Sequence, residues 1–104
     1  MSEQLDKLRI LIVDSEQKMR SLTRDMLNEL GIPQVYTVGD GSRAYAELRD
    51  RQFDIIITER RMESVNGIDL TRMIRTAVDS PNPHVPILMM TAAPSLHDVT
   101  EARD

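Results

Sequence analysis

Two short apolar runs rich in β-branched residues, Ile10-Leu11-Ile12-Val13 and Ile55-Ile56-Ile57, each give way within two residues to an acid, Asp14 and Glu59. Runs this short, without polar alternation, are the pattern of strands covered on both faces of a parallel sheet. Parallel neighbours cannot be joined by a tight hairpin, so each strand must be followed by a crossover, usually helical. The next residues supply one. Residues 16–30 place Met19, Leu22, Met26, Leu27 and Leu30 at three- and four-residue spacings, set Lys18, Arg20, Arg24, Asp25 and Glu29 between them, and stop at Gly31.

The same alternation continues to the end of the chain. Strands are expected over residues 8–13, 35–38, 53–58 and 86–90, and helices over 16–30, 43–50, 68–78 and 96–103. Asp40-Gly41-Ser42 supplies a turn and an N-cap for the second helix. Residues 60–66 form an exposed loop closed by Gly67, Pro81 and Pro83 break the third helix, and Ser95 with Asp98 reads as a capping box for the last. Four strands alternating with four helices make an α/β fold, a parallel sheet with helices on both faces.

Composition bounds the function. A chain of 104 residues supports one core, so residues 1–104 are read as a single domain. It has no cysteine, which removes disulfides, thiol nucleophiles and thiolate zinc sites, and a cytoplasmic setting is expected. Its longest apolar runs fall far short of the ~20 residues that span a bilayer. A net charge of −4 with 3% aromatic residues gives neither the cationic track nor the stacking platform of a nucleic-acid surface. Protein partners are the default, and neither nucleic acid nor membrane is expected.

In parallel α/β sheets ligands sit at the carboxyl ends of the strands, near the point where strand order reverses. The residues expected there are Asp14, Glu59 and Thr91. Short polar residues at strand ends are often mere loop starters. Two facing carboxylates beside a hydroxyl nevertheless form a set that a hard cation such as Mg2+ relieves, with a phosphoryl group bridging metal and hydroxyl.

Here the sequence resembles the receiver domains of two-component response regulators, CheY-like modules of flavodoxin-like fold. The resemblance covers nearly the whole chain. It rests on Ile10-Leu11-Ile12-Val13-Asp14, Met19-Arg20, Asp54-Ile55-Ile56-Ile57-Thr58, Asn66-Gly67, and Pro86-Ile87-Leu88-Met89-Met90-Thr91-Ala92, in that order. It implies a phosphoacceptor at Glu59, an active-site remnant of Asp14, Ser15, Thr91 and Ala92, and a Mg2+ site formed by Asp14, Glu59 and the Arg61 backbone. A sensor histidine kinase or a downstream signalling protein is the implied partner.

Measured against that family the site departs at several points. Ser15 stands where a second acid is expected, and offers Mg2+ a neutral hydroxyl. Glu59 stands where the family has aspartate, and its extra methylene moves the carboxylate by more than about 1 Å, an error that costs on the order of a hundredfold in positioned chemistry. Glu63 replaces a usual proline, and Arg60 or Arg61 is expected to serve Glu59 as an internal counter-ion. The chain ends at Asp104, before the fifth strand, with its phosphate-binding lysine, and the fifth helix of the family. The expectation is an incomplete domain whose fourth strand is an open edge and whose first long helix borders an uncovered face, the two together a candidate homodimer surface.

The reading is thus a pseudo-receiver that signals by protein contact, with phosphorylation impaired, no catalytic residues, no enzymatic activity and at most weak Mg2+ binding. The alternative is a working phosphoacceptor in a histidine-kinase phosphorelay using Mg2+. A flavodoxin-type nucleotide module is disfavoured, because no Gly-rich phosphate loop follows the first strand and no Trp is present to stack on a ring. Met19, Met26, Met73, Met89 and Met90 are expected in the core. His84 and His97 are expected in solvent, and Arg60, Arg61, Arg72 and Arg75 are read mainly as a solvated rim.

Overall fold

A computed structural model describes residues 2–60, 62 and 65–90. Its elements run α1 (Ser2–Lys7), β1 (Arg9–Val13), α2 (Gln17–Glu29), β2 (Gln34–Val38), α3 (Gly41–Asp50), β3 (Ile55–Glu59), α4 (Gly67–Thr76) and β4 (Ile87–Met90). All four strands are parallel, in the order β2-β1-β3-β4. This is the doubly wound, flavodoxin-like arrangement expected, with the strand order reversing between β1 and β3.

Three of the four expected helices lie within the described residues; the fourth, over 96–103 with Ser95 and Asp98, lies outside them. Helix α1 was not anticipated from the sequence. Its Leu5 packs with Leu8 and Leu27 against the buried Ile10, Ile12 and Ile32, and the Gln34 side chain donates to the Asp6 carbonyl at 2.6 Å. A six-residue segment with few apolar residues carries too weak a period to read; that packing is what holds it.

Local chemistry sets the helix starts. Asp40 is the N-cap of α3 and accepts from the Arg43 amide at 2.9 Å, and Asn66 caps α4 through the Asp69 amide at 2.9 Å. Gly31 ends the α2 region with a φ of 99°, a conformation in which L side chains are strained.

The core is divided by the sheet. On one face Leu11, Val13 and Ile56 pack with Ala44, Tyr45 and Leu48 of α3, Leu70 and Ile74 of α4, Phe53 and Val85. On the other lies the smaller group around Ile10, Ile12 and Ile32. Helix α2 sits over β2 and β1, contacts no other strand substantially, and buries none of its residues fully.

That placement corrects two expectations. Met19 and Met26 are not core residues, nor is Met90 of β4, and all three are exposed, whereas Met73 and Met89 are partly buried. β3 is likewise not covered on both faces, because Ile55 and Ile57 on the α2 side remain half-buried. The physical reason is common to both: among the described residues no helix lies over the α2 side of β3 and β4.

Leu11→Ala should therefore cost about 2–5 kcal/mol, while Met26→Ala should stay within about 0.5 kcal/mol. Urea unfolding of the two variants checks the contrast; equal losses would place Met26 in a packed core.

Candidate functional site

Strands β1 and β3 pair in parallel with Val13 opposite Thr58, so the next residues, Asp14 and Glu59, leave the sheet side by side at its carboxyl end. The turn after β1 is held three ways. The Asp14 amide donates to the Val38 carbonyl at 3.1 Å, Asp14 Oδ1 accepts from the Glu16 amide at 2.9 Å, and Arg20 Nη1 donates to the Asp14 carbonyl at 2.7 Å. The second of these is an Asx turn that aims the chain into α2.

The end of β3 is held equally firmly. The Arg60 amide donates to the Met90 carbonyl at 2.9 Å, and the Gly67 amide returns to the Arg60 carbonyl at 2.9 Å. Gly67 passes so close that a Cβ there would collide with the Glu59 carbonyl oxygen. Only glycine lets the loop rejoin the strand end at this distance.

Between these anchors Glu59 reaches across to the β1 loop. Its Oε2 accepts from both the Ser15 amide and the Ser15 hydroxyl, each at 3.0 Å. Sequence reasoning named both residues as departures from a pattern and missed that they bond to each other. The signal available was the extra length of Glu59, which carries its carboxylate beyond an aspartate's reach. Burial raises Asp14 above the ordinary carboxylate range, and the charge and hydrogen bonding of Glu59 push in the same direction against the lowering effect of the Glu16 amide.

Beside the acids lies a cleft of about 280 Å³ whose lining combines apolar Ile12, Met19, Ile57 and Met90 with Asp14, Glu16 and Glu59. Among the described residues no group of three or more His, Asp or Glu side chains converges as metal ligands. The carboxyl groups at the cleft are Asp14, Glu16 and Glu59, the last with its Oε2 bonded to Ser15.

Of the expected site residues, Asp14, Ser15 and Glu59 are thus brought together. Thr91, Ala92 and Arg61, together with Glu63 and Ser64, lie outside the described residues. Arg60 is positioned beside Glu59 by its backbone bonds. The rim arginines are engaged elsewhere, Arg75 with the Pro83 carbonyl at 2.9 Å and Arg72 with Asp69 at 3.9 Å. His84 is exposed, and His97 is outside the described residues.

Residues 10–104 match the model of the response regulator receiver domain. The chain belongs to that family. It is 35% identical over 95 residues to the chemotaxis protein CheY of Pseudomonas aeruginosa, covering 91% of this chain and 75% of that protein, and equally identical to CheY-3 of Vibrio cholerae, of which it covers 72%. Among solved structures, Vibrio cholerae CheY4 superposes with a TM-score of 0.83 at 28% identity, over 92% of this chain and 78% of that one. The receiver domain of the Arabidopsis thaliana histidine kinase CKI1, complexed with Mg2+ and BeF3−, superposes with a TM-score of 0.83 at 24% identity over 98% of this chain and 78% of that one, a likeness of fold. No helix among the described residues is long and apolar enough to cross a membrane.

A carboxyl raised in the folded chain binds its proton more tightly there than in the unfolded chain, so its cost to stability is present at neutral pH and vanishes below the unfolded value of 3.8. Asp14→Asn keeps the acceptor for the Glu16 amide. It should raise the melting temperature at pH 7, with the gain shrinking as the pH falls toward and below 3.8; an identical gain at both ends of the range would mean that ionisation of Asp14 carries no cost.

Proposed function

We propose that this receiver domain is a pseudo-receiver, an interaction module rather than an enzyme, in which transfer of a phosphoryl group to the Glu59 position is impaired. The observation that carries the reading is the double hydrogen bond from Ser15 to Glu59 Oε2. An attacking carboxylate needs a free lone pair aimed at phosphorus, and a metal ligand needs one aimed at the cation. Here the oxygen accepts a backbone amide and a hydroxyl of its own chain. Hydrogen bonds to a charged acceptor are the stronger kind, so releasing it has a real cost.

Mg2+ fits these residues poorly. It favours near-octahedral oxygen coordination with one or two carboxylates. Asp14 has a raised affinity for its proton, Ser15 offers a neutral hydroxyl, and Glu59 has its Oε2 engaged by Ser15. The observation favouring a working phosphoacceptor is that Asp14 and Glu59 do converge at the strand ends. In that second reading the pair would have to hold the cation unaided. In both, the partner is a sensor histidine kinase or a downstream signalling protein.

Titration with Mg2+ and then Mg2+ plus beryllofluoride, followed through the backbone amides of Asp14, Ser15 and Glu59 by NMR, separates the two. The expected result is no saturable shift in the wild-type chain. Ser15→Asp with Glu59→Asp should gain Mg2+ affinity by about tenfold or more, because it adds a carboxylate and removes the hydroxyl donor. Saturable shifts in the wild type would restore the phosphoacceptor reading.

A further inference from the structure

Helix α2 begins with the wrong charge for a helix start. Its first turn holds no acid, while Lys18 and Arg20 both fall within its first four residues, where the partial positive charge of the helix end disfavours cations. A cation so placed needs a compensating acceptor nearby. Among the described residues Arg20 makes no ion pair. Its side chain turns back toward the helix start, as helical side chains do, and Nη1 donates to the Asp14 carbonyl at 2.7 Å. Gly39, just past β2, leaves the way open, since a Cβ there would stand 3.3 Å from that same nitrogen.

The identity of that carbonyl connects Arg20 to the strand-end acids. The Asp14 C=O and the Ser15 N–H belong to one planar trans peptide group, so they point in opposite directions. On one side the oxygen accepts from the Arg20 guanidinium at 2.7 Å, and on the other the N–H donates to Glu59 Oε2 at 3.0 Å. A cation and an anion that are not bonded to each other are thus joined through a single peptide group. Each hydrogen bond polarises the group in the sense that strengthens the other, by roughly 10–30%. The sequence had directed attention to Arg60 or Arg61 as the counter-ion of Glu59, and to Met19-Arg20 only as part of a family pattern.

We propose that Arg20 is the positioning residue of this site, delivering the influence of its charge to Glu59 through the Asp14–Ser15 peptide. It fixes the orientation of that peptide and makes the Ser15 amide a stronger donor. By way of the backbone it takes over part of what a bound cation does for carboxylates at adjacent strand ends. The inference rests on the reading of Glu59 as internally held, and names the residue that sustains the hold.

A double-mutant cycle between Arg20→Gln and Glu59→Gln, read by urea unfolding of the metal-free full chain, tests it. Arg20→Gln should lower the folding equilibrium constant by about threefold more in the wild-type background than in the Glu59→Gln background. That coupling should persist in about 1 M salt, where direct attraction between exposed charges is screened beyond about 3 Å. NMR spectra, which also show that each variant is folded, supply a second reading. Arg20→Gln should move the Ser15 amide proton upfield, and Arg20→Lys, which keeps a charged donor, should leave it near its wild-type position. Additive effects in the cycle, a coupling that vanishes in high salt, or a Ser15 amide unmoved by Arg20→Gln overturns the inference. Saturable Mg2+ shifts in the wild type would instead overturn the pseudo-receiver reading, and the cycle, measured without metal, would be decided separately.

Discussion

The parallel pairing of β1 with β3 is the constraint on which the rest of this structure depends. Val13 opposite Thr58 brings Asp14 and Glu59, 45 positions apart in the chain, to neighbouring strand ends. Because the order β2-β1-β3-β4 reverses between these two strands, the crossovers diverge there and leave the carboxyl end open. A one-residue slip in that register would turn every side chain of β3 to the opposite face and remove Glu59 from the site. Buried Leu11, Val13 and Ile56 on the α3–α4 side make such a slip prohibitive.

Within the site two substitutions that look like separate losses form one interaction. A pair of carboxylates at adjacent strand ends repels, and the usual relief in such sites is an external cation. Here part of the relief is internal. Ser15 donates its amide and hydroxyl to Glu59, and Asp14 responds to burial and to its neighbour by holding its proton more tightly. The longer side chain at position 59 and the small hydroxyl at position 15 are matched in reach and polarity. Either alone would leave a less satisfied group: a glutamate without its side-chain donor, or a serine with no carboxylate in range.

Among the described residues the two sides of the sheet are finished to different degrees. The α3–α4 side is a closed apolar core. On the other side α1 and α2 serve β2 and β1, and apolar side chains from α2 and β4 remain in solvent.

Much of the fold was legible in the chain because the signals were local. Short apolar runs marked the strands, the period of residues 16–30 marked α2, and Asp40-Gly41-Ser42 marked the start of α3. Asp14 and Glu59 followed as site residues once parallel strands were granted. Helix α1 was not legible, because six residues cannot carry a period and Leu5 gains its role only from Ile10, Ile12 and Ile32 beneath it. The methionines misled for a related reason. An apolar stripe on a helix says that one side avoids water, and is silent on whether the rest of the chain supplies something to cover it. The amino-acid order by itself determined the longer elements, their parallel arrangement and which acids stand at the strand ends, since these follow from periodicity and chain connectivity. Only the tertiary structure decided that Ser15 would hold Glu59 and that Met19 and Met26 would face solvent, because both depend on distances between segments that the chain brings together only on folding.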